Sequence, residues 1–328
     1  MTSTAISGAR ILSVGTALPE KVLTNKDLEQ MVDTSHEWIV ERSGIHERRI
    51  GGTTADLAAN AGRVAIERAG IDPATIDLLI LATTSPDRRV PASASTVQEI
   101  LGLQCGAMDL NAACSGFVYA LVAAHGFIEM GHRRVLIIGA ETLSRMTDWT
   151  DRTTCILFGD GAGAAIVQAS TEDRGIIASY CGADGAYADT ELLAVPAGGS
   201  TLPITAETVK KQLHKVTMKG REVFKLGVRI MPEAALHTLQ IAGLTVEDID
   251  LVIPHQANLR IIEAVGERIG VPSEKLYINV DRYGNTSAAT VIIALDEALR
   301  SKKVNSGDLV LLVTFGAGLT WGASIIRM

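Results

Sequence analysis

The sequence predicts an α/β fold built from two related halves. Short apolar runs that end in small or polar residues alternate with Ala-rich stretches, a pattern typical of buried strands covered by helices. These runs are Ile11–Val14, Leu78–Ala82, Val135–Ile138, Ile156–Phe158, Leu251–Ile253 and Leu309–Val313. Residues 69–85 also align without a gap on residues 242–258, and each copy gives a helix end, a short loop and a buried strand. Duplication of a whole α/β unit, rather than a short-period repeat, explains both patterns.

Turns rich in small residues follow matching predicted strands in the two halves. The segment Ala107–Asn111 leads into a turn at Cys114 and then a helix. The segment Leu276–Val280 leads into a turn at Asn285 and then another helix. We therefore expect strands over both segments and pair Cys114 with Asn285 as equivalent positions. This symmetry makes both turns candidates for a functional site.

The ends of the two halves show the same relationship. Residues 158–168, FGDGAGAAIVQ, resemble residues 315–328, FGAGLTWGASIIRM. The number of residues between the matched turns and these matched ends is larger in the first half than in the second. The first half must therefore carry an extra segment within residues 141–157. We expect an N-terminal half over residues 1–178 and a C-terminal half over residues 179–328.

Composition and charge exclude several classes of protein. The 328 residues are 47% hydrophobic and 20% charged, which excludes an intrinsically disordered chain. A formal net charge of −7 disfavours a nucleic-acid partner, since proteins that bind phosphate backbones carry an excess of Lys and Arg. Aromatic residues make up only 4% whereas Gly reaches 31, so the core is expected to pack through small side chains and close backbone contacts.

Neither membrane insertion nor secretion is predicted. Residues 112–128 contain no Asp, Glu, Lys or Arg, but they include polar residues and fall short of the roughly 20 apolar residues that span a bilayer. A helix buried in a soluble core fits them better. Residues 1–19 lack the cationic start and apolar core of a signal peptide. The four cysteines show no metal-ligand or disulfide spacing, so we expect a cytoplasmic protein with reduced thiols and no metal.

Cys114 lies in NAACSGF, where small residues surround a thiol at the start of a predicted helix. A helix N-terminus favours thiolate over thiol and presents N–H groups to an oxyanion, which prepares a nucleophile. The ordinary interpretation of a free Cys is a small buried apolar side chain, and this segment alone leaves that interpretation open. The other three cysteines are interpreted in that way.

A histidine and an asparagine occupy comparable turns in the second half. His255, in IPHQAN, directly follows the predicted strand Leu251–Ile253, at the position where the first half has Ala82. An imidazole there lies where α/β sheets place their functional groups, and a buried His satisfied within the core is the equal alternative. Asn285, in RYGNTSAAT, is by default a helix N-cap, and its symmetry with Cys114 adds a functional alternative.

Two familiar motifs occur in misleading forms. Papain-like peptidases also have the order Cys, His, Asn, but their Cys lies in Cys-Gly-Ser/Ala-Cys-Trp/Tyr near the mature N-terminus, whereas Cys114 lies mid-chain. Residues 159–164, GDGAGA, satisfy a relaxed dinucleotide-binding pattern, but a strand-like run rather than a helix follows them. We interpret these glycines as tight turns that let the backbone approach a site closely.

Five segments occur in an order that is specific to one family. They are DTSHEWIVERSGI at 33–45, NAACSGF around Cys114, FGDGAGA at 158–164, IPHQANLRI around His255 and RYGNTSAAT around Asn285. Together they resemble β-ketoacyl-[acyl-carrier-protein] synthase III, the condensing enzyme that starts type II fatty acid synthesis. The resemblance implies a thiolase-like α/β fold with two duplicated halves in a five-layer α-β-α-β-α arrangement, and a homodimer.

The resemblance also implies a decarboxylating Claisen condensation between an acyl-CoA primer and malonyl-[acyl-carrier-protein]. Cys114 would attack the primer thioester and become acylated. His255 and Asn285 would donate hydrogen bonds to the malonyl thioester carbonyl as CO₂ leaves. Backbone N–H groups of Cys114 and Ala317 would hold the tetrahedral oxyanion. Many relatives have Gly at position 317, and Ala suffices there unless a positive φ is required.

By the same resemblance, residues between the protein surface and the Cys114 thiol would bind CoA. Because CoA enters as part of a substrate, the resemblance implies no cofactor. Trp38 and Arg152 would sandwich the adenine, and Arg42 would contact a phosphate of the nucleotide. Asn258 would face the pantetheine arm, and Phe224 would line the tunnel.

Basic residues are concentrated in a stretch to which the resemblance gives a partner. Residues 209–229 carry many Lys and Arg and a single Glu. The resemblance implies that Lys225 and Arg260 contact an acidic acyl carrier protein. A solvated face is the alternative, because Glu263 and Glu267 follow where relatives are often basic.

The segment around Val90 departs from the family pattern. Val90 takes the place of a Phe that several acetyl-selective members have at the bottom of the acyl pocket, where the other subunit contributes it. We therefore expect a deeper pocket that accepts primers longer or more branched than acetyl.

Three other functions are weighed against this one. A related Cys-His-Asn condensing enzyme would start a polyketide or quinolone pathway with the same residues. A cysteine hydrolase would use water in place of a carbanion. A non-catalytic acyl-CoA-binding scaffold fits poorly, because Cys114, His255 and Asn285 are all present.

Overall fold

The computed structural model describes residues 8–172, 174–188 and 191–328, so the first seven residues of the stretch considered as a signal peptide lie outside the described residues. Within these ranges the strands are β1 (Gly8–Ala17), β2 (Val22–Thr24), β3 (Glu47–Arg49), β4 (Leu78–Ala82), β5 (Gly106–Leu110), β6 (Arg134–Thr142), β7 (Asp160–Ser170), β8 (Gly175–Ala183), β9 (Leu193–Ala194), β10 (Thr217–Met218), β11 (Leu251–Pro254), β12 (Leu309–Gly316) and β13 (Thr320–Arg327). The α-helices are α1 (Asn25–Glu29), α2 (His36–Ser43), α3 (Thr54–Ala69), α4 (Ser93–Ile100), α5 (Gly116–Glu129), α6 (Ala206–Lys210), α7 (Gly220–Ala242), α8 (Leu259–Ile269), α9 (Val280–Tyr283) and α10 (Thr290–Arg300).

Two mixed sheets form the frame of the molecule. The first has the strand order β1-β7-β6-β4-β5, and the second has the order β8-β13-β12-β11. In the first sheet β7 is antiparallel to both of its neighbours, while β4 is parallel to both of its own. In the second sheet β13 is likewise antiparallel to both neighbours, and β11 is parallel to β12. The second sheet therefore repeats the first, except that no strand in the described residues corresponds to β5.

The strand expected over Leu276–Val280 does not form. The first residue of this segment makes a single bridge to Val252, and the last already begins α9. The buried side chain of Gln256 explains the difference, because its amide takes the place of a neighbouring strand. Its Nε2 donates to the Tyr277 carbonyl over 3.1 Å, and its Oε1 accepts from the Asn279 N–H over 2.9 Å.

Helices lie between and outside the two sheets. Helices α5 and α10 pack against strands of both sheets and form the middle layer. Helices α3 and α4 cover the outer face of the first sheet, and α7 and α8 cover the outer face of the second. This α-β-α-β-α stack confirms the predicted fold. The apolar segment 112–128 forms most of α5, and no helix in the described residues is long and apolar enough to cross a membrane.

Small residues allow the layers to approach closely, as the composition predicts. A Cβ atom added to Gly139 in β6 would lie 2.5 Å from the backbone oxygen of Ala288. A Cβ atom on Gly163 in β7 would overlap the side chain of Ile292 in α10. At these two glycines the middle layer rests directly on the backbone of the first sheet.

The chain crosses from the first sheet to the second between Ser170 and Gly175. The expected boundary after residue 178 falls inside β8, whose pairing with β13 makes it the first strand of the second half. Residues 143–159 separate β6 from β7, whereas residues 317–319 alone separate β12 from β13. The longer connection lies where the sequence predicts an extra segment.

The turns at Cys114 and Asn285 are equivalent, but the residues that match between them are not the expected ones. The Ala113 N–H donates to Asn111 Oδ1 over 3.2 Å, and the Ser287 N–H donates to Asn285 Oδ1 over 2.8 Å. Ala113 and Ser287 both have positive φ, 47° and 48°. Asn285 therefore corresponds to Asn111, and its pairing with Cys114 is wrong. The expected pairing matched two residues because both have functional side chains. The backbone instead repeats a turn in which an Asn side chain accepts a hydrogen bond from the N–H two residues later.

Candidate active site

A cavity of about 760 Å³ brings the three predicted catalytic residues together. Its walls include the buried residues Cys114, His255 and Asn285 and the exposed residues Arg42, Lys225 and Arg260. The cavity therefore leads from a basic surface to a thiol. In the part of the chain that the structure describes, no group of His, Cys, Asp or Glu is arranged to hold a metal ion.

Cys114 lies in a 3₁₀ turn, Ala113–Ser115, that leads directly into α5, as the sequence predicts. The residue is only 7% exposed. Burial raises the pKa of the thiol to about 12, against a smaller lowering by a hydrogen bond to Ser287. We expected the helix N-terminus to favour a thiolate, but desolvation of the charged form outweighs it. The resting residue is a neutral thiol.

His255 directly follows β11 and is 3% exposed. Its backbone N–H donates to the Val313 carbonyl over 2.8 Å, and its Nδ1 lies 2.7 Å from Thr290 Oγ1. Burial lowers the pKa of the imidazole to about 3. The ring is therefore neutral at physiological pH, and a thiolate–imidazolium pair of the papain type does not form with Cys114.

Asn285 is held by its backbone as well as its side chain. Its N–H donates to the Leu157 carbonyl over 2.8 Å, and its own carbonyl accepts from the Gly159 N–H over 3.0 Å. Its Oδ1 accepts from Ser287, which leaves Nδ2 as the group available to the cavity that Asn285 lines. The amide can therefore act as a hydrogen-bond donor to a bound molecule.

The turn between β12 and β13 lies against Cys114. Gly316 lines the cavity, and a Cβ atom added to it would lie 2.6 Å from the backbone nitrogen of Cys114. Positive φ occurs at Gly318 (135°) but not at Ala317. An Ala at position 317 is thus compatible with the backbone of this turn.

The predicted adenine site is closed in this structure. The guanidinium groups of Arg42 and Arg152 lie 4.8 and 4.9 Å from the centre of the Trp38 indole. An aromatic ring stacked between two planes needs a separation of about 7 Å, twice the usual contact distance. Arg152, which also donates to the Asp33 carbonyl over 2.8 Å, must therefore move before Trp38 and Arg152 can enclose an adenine.

The remaining predicted CoA-binding residues lie along the cavity. Phe224 and Asn258 both line it, and the Arg260 guanidinium lies 5.6 Å from the centre of the Phe224 ring. Asn258 is the N-cap of α8, and its Nδ2 donates to the Arg42 carbonyl over 2.8 Å. Its amide thus ties α8 to α2 at the cavity wall.

Val90 lies outside the cavity of its own chain and is 84% exposed. The preceding loop is fixed by Glu141, a fully buried residue near the end of β6 for which the sequence predicted no role. The Glu141 carboxylate accepts hydrogen bonds from the loop groups Thr83 Oγ1, Thr84 N and Oγ1, and Ser85 N and Oγ. Burial raises the pKa of this carboxyl group. An acidic residue directly after the apolar run of β6 was the available signal.

The fold and the cavity define a class of protein: a thiolase-fold condensing enzyme. Family models match residues 108–185, described as 3-oxoacyl-[acyl-carrier-protein (ACP)] synthase III, and residues 239–328, described as its C terminal part. A β-ketoacyl-[acyl-carrier-protein] synthase III from Caldanaerobacter subterraneus is 53% identical over 97% of each chain. The chain belongs to the β-ketoacyl-[acyl-carrier-protein] synthase III family.

Solved structures show the same similarity in three dimensions. The 3-oxoacyl-[acyl-carrier-protein] synthase III from Aquifex aeolicus superimposes with a TM-score of 0.90 at 46% identity, over 98% of this chain and 100% of that one. A priming β-ketosynthase from the R1128 polyketide pathway gives a TM-score of 0.90 at 35% identity, over 99% of this chain and 98% of that one. The thiolase-like fold is therefore common to fatty acid and polyketide members of this group.

Proposed function

We propose that this chain catalyses the decarboxylating Claisen condensation of an acyl-CoA primer with malonyl-[acyl-carrier-protein], the reaction that initiates fatty acid synthesis. The products are 3-ketoacyl-[acyl-carrier-protein], CoA and CO₂. The observation that carries the proposal is the single cavity that Cys114, His255 and Asn285 share. Identity is higher to the synthase III relative, 53%, than to the polyketide enzyme, 35%, which favours fatty acid initiation over a specialised pathway.

In the first half-reaction, Cys114 takes the acyl group from CoA. The sulfur–carbonyl bond to Cys114 forms, the bond to CoA sulfur breaks, and the thiol proton ends on the CoA sulfur. Because the pKa of the thiol is raised to about 12, loss of this proton accompanies the attack rather than preceding it. Backbone N–H groups of Cys114 and Ala317 stabilise the tetrahedral oxyanion.

In the second half-reaction, malonyl-carrier protein loses CO₂ and its thioester becomes an enolate. The Nε2–H of His255 and the Nδ2–H of Asn285 donate hydrogen bonds to the enolate oxygen. A low imidazole pKa, about 3, matters here because a neutral ring stabilises the oxygen without protonating the nucleophilic carbon. The carbanion then attacks the acyl group, and Cys114 leaves as a thiolate that takes a proton from water.

The charged rim of the cavity supports the proposed substrates. Trp38, Arg42 and Arg152 bind the nucleotide end of CoA, once Arg152 has moved from the indole, and the cavity between Asn258 and Phe224 holds the pantetheine arm. The exposed Lys225 and Arg260 meet an acidic carrier protein. The working unit is a cytoplasmic homodimer in which Val90 of one subunit closes the acyl pocket of the other.

Intact-mass measurement with a series of acyl-CoA primers tests the proposal. The native protein gains one acyl group and Cys114→Ser gains no thioester, while the matched variant Cys181→Ser is acylated like the native protein. Addition of malonyl-carrier protein then removes the adduct and releases CO₂. A native protein that stays unmodified, or that hydrolyses the acyl group without condensing it, would refute the assignment.

A further inference from the structure

The neutral imidazole of His255 carries a single N–H, so its two nitrogens cannot both donate. If the proton is on Nε2, the ring can donate to an oxyanion in the cavity. If the proton is on Nδ1, Nε2 presents a lone pair and the ring cannot stabilise negative charge. The group that sets the position of this proton therefore decides whether His255 can act in the second half-reaction.

Thr290 contacts Nδ1, one of the two ring nitrogens of His255. Its Oγ1 lies 2.7 Å from His255 Nδ1 and 3.0 Å from the Ser287 carbonyl oxygen. The hydroxyl has one proton to donate to these two acceptors. Donation to Nδ1 requires the Nε2–H tautomer, whereas donation to Ser287 requires the Nδ1–H tautomer.

The bonding of the Ser287 carbonyl favours donation to the ring, whereas the 2.7 Å contact with Nδ1 is the same for either direction of donation. The Ser287 carbonyl also accepts the backbone N–H of Thr290, so it remains bonded when the hydroxyl turns to His255. Both residues are buried, His255 to 3% and Thr290 to 2% exposure, so water does not compete readily for the hydroxyl.

We infer that Thr290 is a positioning residue whose hydroxyl donates to Nδ1 of His255 and thereby keeps the ring proton on Nε2, facing the cavity. This inference rests on the proposed function, which requires a donor at Nε2. Thr290 does not line the cavity, so it acts through the ring rather than on the substrate.

The same turn orients both donors. Ser287, at the start of the turn, fixes the amide of Asn285 through its backbone N–H, and Thr290, at its end, fixes the ring of His255. The segment from Ser287 to Thr290 therefore orients two hydrogen-bond donors, the side chains of Asn285 and His255. It also leads into α10.

Substitution of Thr290 separates this role from a packing role. Thr290→Val keeps the shape and removes the hydroxyl, and we expect condensation to fall about 10²-fold, the usual effect of losing one oxyanion donor, while acylation of Cys114 stays within about threefold. Thr290→Ser restores the hydroxyl and condensation. Thr238→Val is the matched control, because it removes another buried hydroxyl, which donates to the Ala234 carbonyl over 2.8 Å in α7.

A spectroscopic measurement tests the tautomer in the native protein. In ¹⁵N NMR of histidine-labelled protein, with His255 assigned by its loss in His255→Gln, we expect a protonated Nε2 and an unprotonated Nδ1. The opposite tautomer, a Thr290→Val variant that condenses at the native rate, or a Thr290→Ser variant as impaired as Thr290→Val, would each overturn the inference. Failure of native acylation would instead refute the proposed function, and the NMR result would still decide the tautomer.

Discussion

At the scale of single residues, Cys114 and His255 are both neutral because each is buried. Burial raises the pKa of the thiol to about 12 and lowers the pKa of the imidazole to about 3. Both shifts disfavour charge in a cavity that must later bind an uncharged thioester. The site therefore stabilises charge only where the reaction creates it, on carbonyl oxygens that face hydrogen-bond donors.

The raised pKa of Cys114 predicts how its reactivity depends on pH. Below its pKa the thiolate fraction rises about tenfold per pH unit, so alkylation of Cys114 by iodoacetamide should accelerate steadily from pH 6 to about pH 10. Peptide mass spectrometry of timed samples measures the rate at Cys114, with the half-buried Cys105 as an internal comparison. A rate that levels off near neutral pH would show a preformed thiolate and contradict the prediction.

The sequence singled out three residues that the structure brings into one cavity, but not the residues that hold them. Cys114, His255 and Asn285 lie in local motifs, so their presence needs no knowledge of the fold. Thr290 lies in the segment RYGNTSAAT and Glu141 follows the apolar run of β6, but the contacts through which they act are made to distant segments and are not visible in the sequence. The protonation of Cys114 was predicted in the wrong direction because a helix N-terminus is visible in a sequence, whereas complete burial is not.

At the scale of elements, the turn between β12 and β13 is fitted to the start of α5. Gly316→Ala would place a Cβ atom 2.6 Å from the Cys114 nitrogen, so the turn and Cys114 must separate. We expect acylation to fall at least about 10²-fold, as for loss of an oxyanion donor, with a lower Tm. Gly199→Ala is the control, because its Cβ atom would have no neighbour within 4 Å. Equal acylation by both variants would contradict the prediction.

The first turns of α7 present a basic stripe. Arg221, Lys225 and Arg229 are spaced at four-residue intervals on one face and are all exposed. If this stripe docks an acidic carrier protein, Lys225→Glu should raise the KM for malonyl-carrier protein about tenfold at low salt, with kcat unchanged and a smaller effect at high salt. Arg63→Glu, an exposed charge reversal in α3, should leave KM unchanged. Equal effects of the two variants, measured by steady-state kinetics, would argue for a solvated face.

The boundaries of helices and strands could be predicted where the apolar runs are long. They could not be predicted where a side chain, rather than a neighbouring strand, bonds to the backbone. Strands β4 and β11 and helix α5 follow directly from uninterrupted apolar segments. Residues 276–280 have the composition of a strand, but the amide of Gln256 bonds to the backbone groups that a neighbouring strand would have used. These contacts come from a buried Gln about 20 residues earlier in the chain, so the composition of the segment alone does not reveal them.

At the scale of the whole molecule, two exposed features support the proposed homodimer. Strand β5 forms an edge of the first sheet, and an open edge is a ready surface for pairing with a second copy. Val90 is an apolar side chain that is 84% exposed in the single chain. A partner subunit would cover both and would receive Val90 at its acyl pocket.

Primer choice tests the place of Val90 in this assembly. Val90→Phe fills more of the partner's pocket, so acylation by branched or longer acyl-CoA should fall at least about tenfold while acetyl transfer is retained, because pocket size discriminates by about 10–200-fold per methylene. Single-turnover acylation with acetyl-CoA and isobutyryl-CoA measures the ratio, and sedimentation reports the assembly. A native enzyme that already accepts only acetyl-CoA, with or without Val90→Phe, would sink the idea.

The duplication was visible in the sequence because strands and turns recur in order, but the sequence did not show how the copies share a core. Helices α5 and α10 each contact strands of both sheets, so each half contributes one helix to a layer that the other half encloses. A fragment ending at residue 170 would leave α5 with one apolar face uncovered, and a fragment starting at residue 175 would do the same for α10. One copy of the repeated unit is thus too short to fold by itself. An ancestor that had only one copy could have been stable only as a pair of chains.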